Sequence, residues 1–126
     1  MSPRDFDRLV EECMDVVPLR FRRLLRNVVF VVEPEPPRPG LLGLYEGRPL
    51  TERSVSEPVR MPDRITIFQG PHERMARDEE DLRRLLRETI WHEVAHYFGM
   101  DERQVLRAES RRRRLLNRLR RRPSRD

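Results

Sequence analysis

The chain contains no lysine; all 27 of its basic residues are arginine. It has one cysteine, Cys13, so it has no disulfide partner within the chain and no cysteine-based metal site can be built. No stretch approaches the roughly 20 apolar residues that a membrane-spanning helix needs. The N-terminal "MSPRDFDRLVEECM" carries charge on every turn and lacks the apolar run of a signal peptide. Together these absences predict a soluble, cytoplasmic protein with no transmembrane segment.

What is present is 126 residues, 39% charged and 37% hydrophobic, enough for one domain with an economical core. The net charge of +5 is unevenly divided. Residues 111–126 hold nine arginines and one aspartate, giving +8, while the first 110 residues hold 18 arginines against 21 carboxylates, giving −3. The expected organisation is a slightly acidic body, 1–110, followed by an arginine-rich tail, 111–126. Arginine is scattered among acids along the body, so its exclusive use there reads as codon bias before it reads as nucleic-acid binding.

The order of elements is legible from periodicity. Ser2-Pro3 forms a helix start, and Phe6, Leu9, Val10, Cys13 and Met14 recur at helical spacing. "PLRFRRLLRN" predicts a second short helix ended by Asn27. "VVFVVE" (28–33) is β-branched and too short for a helix, so it predicts a buried strand. "PEPPRPG" is a stiff linker and "LLGLYEG" (41–47) a short edge strand. Residues 48–62 predict a surface loop, "DRITIFQG" (63–70) an alternating strand, and "PHERMAR" a connection. A long helix starts at Asp78, buries Leu82, Leu85, Leu86, Thr89, Ile90, Val94 and Tyr97, and ends at Gly99. A last helical stretch runs from about Glu102 to Arg121. The fold class is a small α+β domain without internal repeats.

Two of the three histidines lie on the long helix in "RETIWHEVAHYFGMDERQ". Residues i and i+4 share one helical face, so His92 and His96 can aim both imidazoles at one point. Glu93, one residue on, can act as a base instead of a ligand. Two histidines leave a catalytic zinc one protein ligand short. In the extended motif the third ligand follows the glycine by three residues, which is Glu102 here; Asp101 is the alternative if the turn is tighter. Gly99 supplies the backbone freedom to fold the chain back. No methionine follows Met100, so a metzincin methionine turn is absent, and residues 111–118 offer no acid for a later glutamate ligand.

"LLGLYEGRPLTERS", "MPDRITIFQGP" and "RDEEDLRRLLRETIWHEVAHYFGMDE" together resemble, in the same order, the minimal zincins, a family of small bacterial predicted zinc metallopeptidases. The resemblance covers nearly the whole chain. It implies a zincin-like α+β core, a small mixed sheet packed by the active-site helix and flanking helices. It also implies His92 and His96 as zinc ligands, Glu93 as the catalytic glutamate and an acidic third ligand after the glycine. Here that residue is Glu102, where the family more often has aspartate.

The implied activity is hydrolysis of peptide bonds in a peptide or protein substrate by a zinc-activated water, with Glu93 as general base. Tyr45, Tyr97 and His72 are the candidates for stabilising the oxyanion, with Tyr45 put first; Tyr97 reads as a packing residue and His72 as a solvated loop histidine. Trp91 and Cys13 read as core. "GLYEG" is the candidate edge for an extended substrate. Two alternatives remain: a zinc-binding structural or peptide-recognition domain with little activity, or binding of nucleic acid or an anionic surface through the tail. The tail reads first as a solvated extension, or as a helix whose leucines cover the body.

Overall fold

The computed structural model describes residues 1–47 and 62–100 and, beyond them, Arg103, Arg107, Ser110, Arg111, Arg114, Leu115, Asn117 and Arg118. Its elements are α1 (Pro3–Cys13), a 3₁₀ turn (Met14–Val16), α2 (Leu19–Arg22), β1 (Val28–Glu33), β2 (Gly43–Glu46), β3 (Asp63–Phe68), α3 (Gln69–Met75) and α4 (Glu79–Tyr97). This is an α+β fold with a mixed sheet ordered β1-β3-β2. β1 runs parallel to β3 and β2 antiparallel to it.

Local chemistry places the helices. Ser2 caps α1 by accepting from the Asp5 N–H at 3.1 Å, which satisfies one of the donors left open at a helix start. Asp78 caps α4 in the same way through the Asp81 N–H at 2.7 Å. Asp81 in turn accepts from the Arg77 N–H and from the Arg84 guanidinium. These bonds, the Arg77 N–H foremost, pull its carboxyl down to about 2.

Pairing register decides which residues meet the helices. Val28, Phe30 and Val32 of β1 align with Asp63, Ile65 and Ile67 of β3, and Tyr45 and Gly43 of β2 align with Ile65 and Ile67. Side chains alternate along a strand, so these positions share one face. That face packs with Phe6, Leu9, Val10 and Cys13 of α1 and with Leu82, Leu86, Ile90 and Val94 of α4 into a single core. The apolar face expected for α4 is buried along its whole length. Arg83–Glu12 and Arg87–Asp15 ion pairs at 2.6 and 2.9 Å tie α4 to α1 and the turn after it. They sit near solvent, where such pairs contribute about 0–1 kcal/mol each.

Four expectations need correction. β1 is an edge strand and only half buried, with Val29 43% exposed, because β3 and not β1 occupies the centre of the sheet. β3, as the central strand, buries Thr66 and Phe68 as well as Ile65 and Ile67, so its burial does not alternate. The second helix closes after Arg22 with bonds from the Leu24 N–H to Phe21 and the Leu25 N–H to Arg22, and Asn27 takes a left-handed φ of 54°. The connection after β3 is a helix, α3: Pro71 lies in its first turn, where a missing N–H costs nothing. The surface loop expected over 48–62 lies, except for Pro62, outside the described residues.

Candidate metal centre

The motif sits in the last turns of α4. Glu93 is on the helix face turned to the sheet and is 6% exposed, while His92 and His96 flank it and are half-buried. Their two rings have centroids 5.0 Å apart at an interplanar angle of 69°. Ligand atoms of His92, Glu93 and His96 all lie within 4.8 Å of one another. A pair of imidazoles with an adjacent carboxylate is a donor set suited to a first-row divalent ion. The cluster can hold a metal.

The helix ends immediately after the second histidine. Gly99 has φ of 85°, its N–H bonds the His96 carbonyl at 2.9 Å, and the Met100 N–H bonds the Ala95 carbonyl at 3.1 Å. These two bonds form a Schellman cap, which needs a left-handed residue at Gly99 and turns the chain sharply away from the helix axis. Asp101 and Glu102, the positions expected to supply the third ligand, lie outside the described residues.

β2 lies directly against the carboxylate's own helical turn. A Cβ added at Gly43 would come 2.7 Å from Thr89 Cγ2, 3.1 Å from Glu93 Cγ and 3.3 Å from the Thr66 carbonyl. The missing side chain therefore lets the strand backbone rest on Thr89 and Glu93. Thr89 is one turn before Glu93 on the same face, and its hydroxyl lies 2.8 Å from His72 Nε2. His72 Nδ1 lies 2.6 Å from the Phe68 carbonyl. That carbonyl can only accept, so Nδ1 carries the proton; the Thr89 hydroxyl, which also lies 3.0 Å from the Leu85 carbonyl, can turn its proton to Nε2 when the ring is neutral. Burial lowers the His72 pKa and favours this neutral form; the bond to Phe68 opposes it more weakly.

His72 is thus 0% exposed, not a solvated loop histidine: α3 carries it under the sheet, against Phe6 and Thr89. The other oxyanion candidates also have body partners. The Tyr45 hydroxyl donates to Asp63 Oδ2 at 2.5 Å, one step along the inward face of the sheet. The Tyr97 hydroxyl accepts from the Arg26 N–H at 3.0 Å and pins the loop between α2 and β1 to the end of α4. Trp91 is half-buried beside the core, and Cys13 is fully buried in it. Sequence reasoning placed Thr89 on the buried face of the long helix and Gly43 in the edge strand, but linked neither to Glu93. Thr89 was detectable by its i−4 spacing from Glu93; Gly43 had no local signal.

A family model described as "Zincin-like metallopeptidase" matches residues 25–111. The chain belongs to that family. Among solved structures, this zincin-like chain is similar to a conserved hypothetical protein from Thermus thermophilus. The two share 28% identity over 78% of this chain and 94% of the other, with a TM-score of 0.53. No curated protein matches the sequence. The family match spans all three strands, α3, α4 and the histidine cluster, and stops where the arginine-rich tail begins.

The close approach at Gly43 gives a test of how the strand is seated. Alanine in place of a strand glycine ordinarily gains about 0.4–1 kcal/mol through the unfolded chain. Here its Cβ would lie 2.7 Å from the methyl of a short, β-branched side chain that has little room to yield. Gly43→Ala is expected to cost about 1–3 kcal/mol, the range for overpacking, as read by urea unfolding. A variant as stable as the parent would mean that β2 does not press on α4.

Proposed function

We propose that the protein is a zinc-dependent peptidase in which His92 and His96 hold the metal and Glu93 is the general base. The observation that carries the reading is the convergence of the three side chains within 4.8 Å at the sheet-facing end of α4. Glu102 is the proposed third ligand, three residues after the glycine that ends the helix, with Asp101 as the alternative. Zinc, when bound, lowers the pKa of water and polarises a carbonyl oxygen.

The residues of the chain do the rest. His92 and His96 fix the position of the metal through rings held one turn apart on a rigid helix. Glu93 takes a proton from the attacking water and passes it to the leaving amine. Its burial beneath β2 keeps bulk water from the carboxylate, and contact with Gly43 restricts where its stem can lie. Among the described residues β2 pairs with β3 on one side and with no strand on the other. An extended peptide can add there as a further strand, close to Glu93.

The proposal is tested by incubating metal-stripped and zinc-reloaded protein with a mixture of unstructured peptides and reading new termini by mass spectrometry. New termini are expected only with the reloaded protein. Identical cleavage by both forms would overturn the reading, and absence of cleavage by either would favour a binding domain that keeps the metal without the reaction.

A further inference from the structure

The two branches of Thr89 face different neighbours. Its hydroxyl lies 2.8 Å from His72 Nε2 and 3.0 Å from the Leu85 carbonyl one turn back. Its methyl is turned to β2, at 2.7 Å from the place a Cβ would take on Gly43. A threonine on a helix ordinarily divides between two χ1 rotamers. Here the surroundings select one. Turning the side chain would take the hydroxyl from the nitrogen of a fully buried ring, and a buried polar group left unmet is costly. That ring is itself anchored, with Nδ1 at 2.6 Å from the Phe68 carbonyl where β3 runs into α3.

Glu93 stands one turn further along the same face of α4, and both residues are buried. Helical Cβ atoms tilt toward the N-terminus, so a side chain covers the turn before its own Cα. The stem of Glu93 therefore leans over Thr89. The distances agree: the point above Gly43 that is 2.7 Å from Thr89 Cγ2 is 3.1 Å from Glu93 Cγ. The methyl, the glutamate stem and the strand backbone meet at one spot. A continuous set of contacts thus runs from the Phe68 carbonyl through His72 and Thr89 to the carboxylate's stem.

We propose that Thr89 is a positioning residue for the general base: its methyl, held toward β2 by the hydroxyl's partners His72 and Leu85, sets where the Glu93 stem lies. The assignment rests on the reading of Glu93 as the base. Proton transfer needs the carboxylate within hydrogen-bond reach of the attacking water, and a misplacement of about 1 Å can cost about 10²-fold in rate. The two histidines are carried by the helix itself, so zinc content is not expected to follow the Thr89 side chain.

Two variants separate the branches. Thr89→Ser keeps the hydroxyl and loses the methyl, and Thr89→Val keeps the shape and loses the hydroxyl. The first readout is NMR of metal-stripped protein labelled with ¹³C-glutamate, with the Glu93 signals assigned by their loss in Glu93→Gln. A fixed stem holds its two γ-protons in different surroundings and separates their shifts, whereas a mobile stem averages them. The pair should be separate in the parent and in Thr89→Val, and merged in Thr89→Ser. In zinc-loaded protein Thr89→Ser should lose about 10- to 100-fold in kcat, with KM and zinc content at the parent's level. Thr89→Val should recover most of that rate, although loss of the bond to His72 lowers its urea midpoint below the parent's. Rate then follows the methyl and not the stability. Separate γ-proton shifts in Thr89→Ser, or parental kcat in that variant, would overturn the proposal. Equal loss of rate in both variants would also overturn it and leave Thr89 a structural residue. A parent that cleaves no peptide contradicts the peptidase reading alone, and the labelled spectra still decide whether Thr89 fixes the stem.

Discussion

A Glu93→Gln protein is expected to keep its zinc and lose peptide cleavage by a factor on the order of 10² to 10⁴, the usual contribution of a positioned general base. Glutamine has nearly the shape of glutamate, so it can preserve the packing of the stem against Gly43 and beneath β2. It cannot accept a proton. Rate and metal content should therefore separate: cleavage falls while zinc per chain stays at the parent's level. Two results would contradict this account. Retention of more than a tenth of the activity would remove Glu93 from the role of base, and loss of zinc along with activity would make it a ligand. Either result would also change the meaning of its position between the two histidines.

The second large effect lies away from the histidine cluster, at His72. Its ring is fully buried and bridges the Phe68 carbonyl, at the junction of β3 and α3, to Thr89 on α4. His72→Ala opens a cavity and removes both bonds, and a loss of about 3–4 kcal/mol is expected from the two effects. His72→Leu fills most of the space. It should cost less, because the Thr89 hydroxyl can turn to the Leu85 carbonyl 3.0 Å away. Denaturant unfolding of both variants separates the cavity contribution from that of the hydrogen bonds. Equal losses for Ala and Leu would show that filling the space brings no benefit.

His72 also predicts a pH dependence. Its folded pKa is lowered, mainly by burial, from an unfolded value of about 6.5. Above that pH both folded and unfolded chains hold a neutral ring, and the full stability is present. As pH falls below about 6.5 the unfolded chain takes up a proton that the folded protein does not, so stability is lost until the folded pKa is reached. The chain holds two further imidazoles, His92 and His96, so the measurement is the difference between the parent and His72→Leu, both stripped of metal. The parent should lose more stability than the variant between pH 7 and pH 5. Parallel curves would mean that the ring titrates alike in the folded and unfolded chains and that burial does not lower its pKa.

Much of this was legible in the sequence because it is local. The Ser2 and Asp78 caps, the apolar spacing of α1 and α4 and the glycine after Phe98 each act over a single turn of helix. The motif is local too, since i and i+4 on a helix leave little else for two imidazoles to do but converge. What was not legible depends on pairing across the chain. β1 reads as buried from its own valines, yet its exposure is set by β3 taking the central position 35 residues later. Gly43 reads only as part of a short edge strand until its register opposite Ile67 brings it onto Thr89 and Glu93. His72 follows a Gly-Pro pair that suggests a surface turn, but the proline lies in the first turn of α3 and the helix carries the ring inward.

The central claim is that the convergent histidines bind zinc, and metal content per chain tests it most directly. Purified parent protein, His92→Ala, His96→Ala and Glu102→Ala are supplied with zinc, dialysed, and measured by inductively coupled plasma mass spectrometry. The account predicts about one zinc per parent chain, none retained by either histidine variant, and a large reduction for Glu102→Ala. A parent protein that stays metal-free after zinc is supplied, or histidine variants that hold as much zinc as the parent, would contradict it.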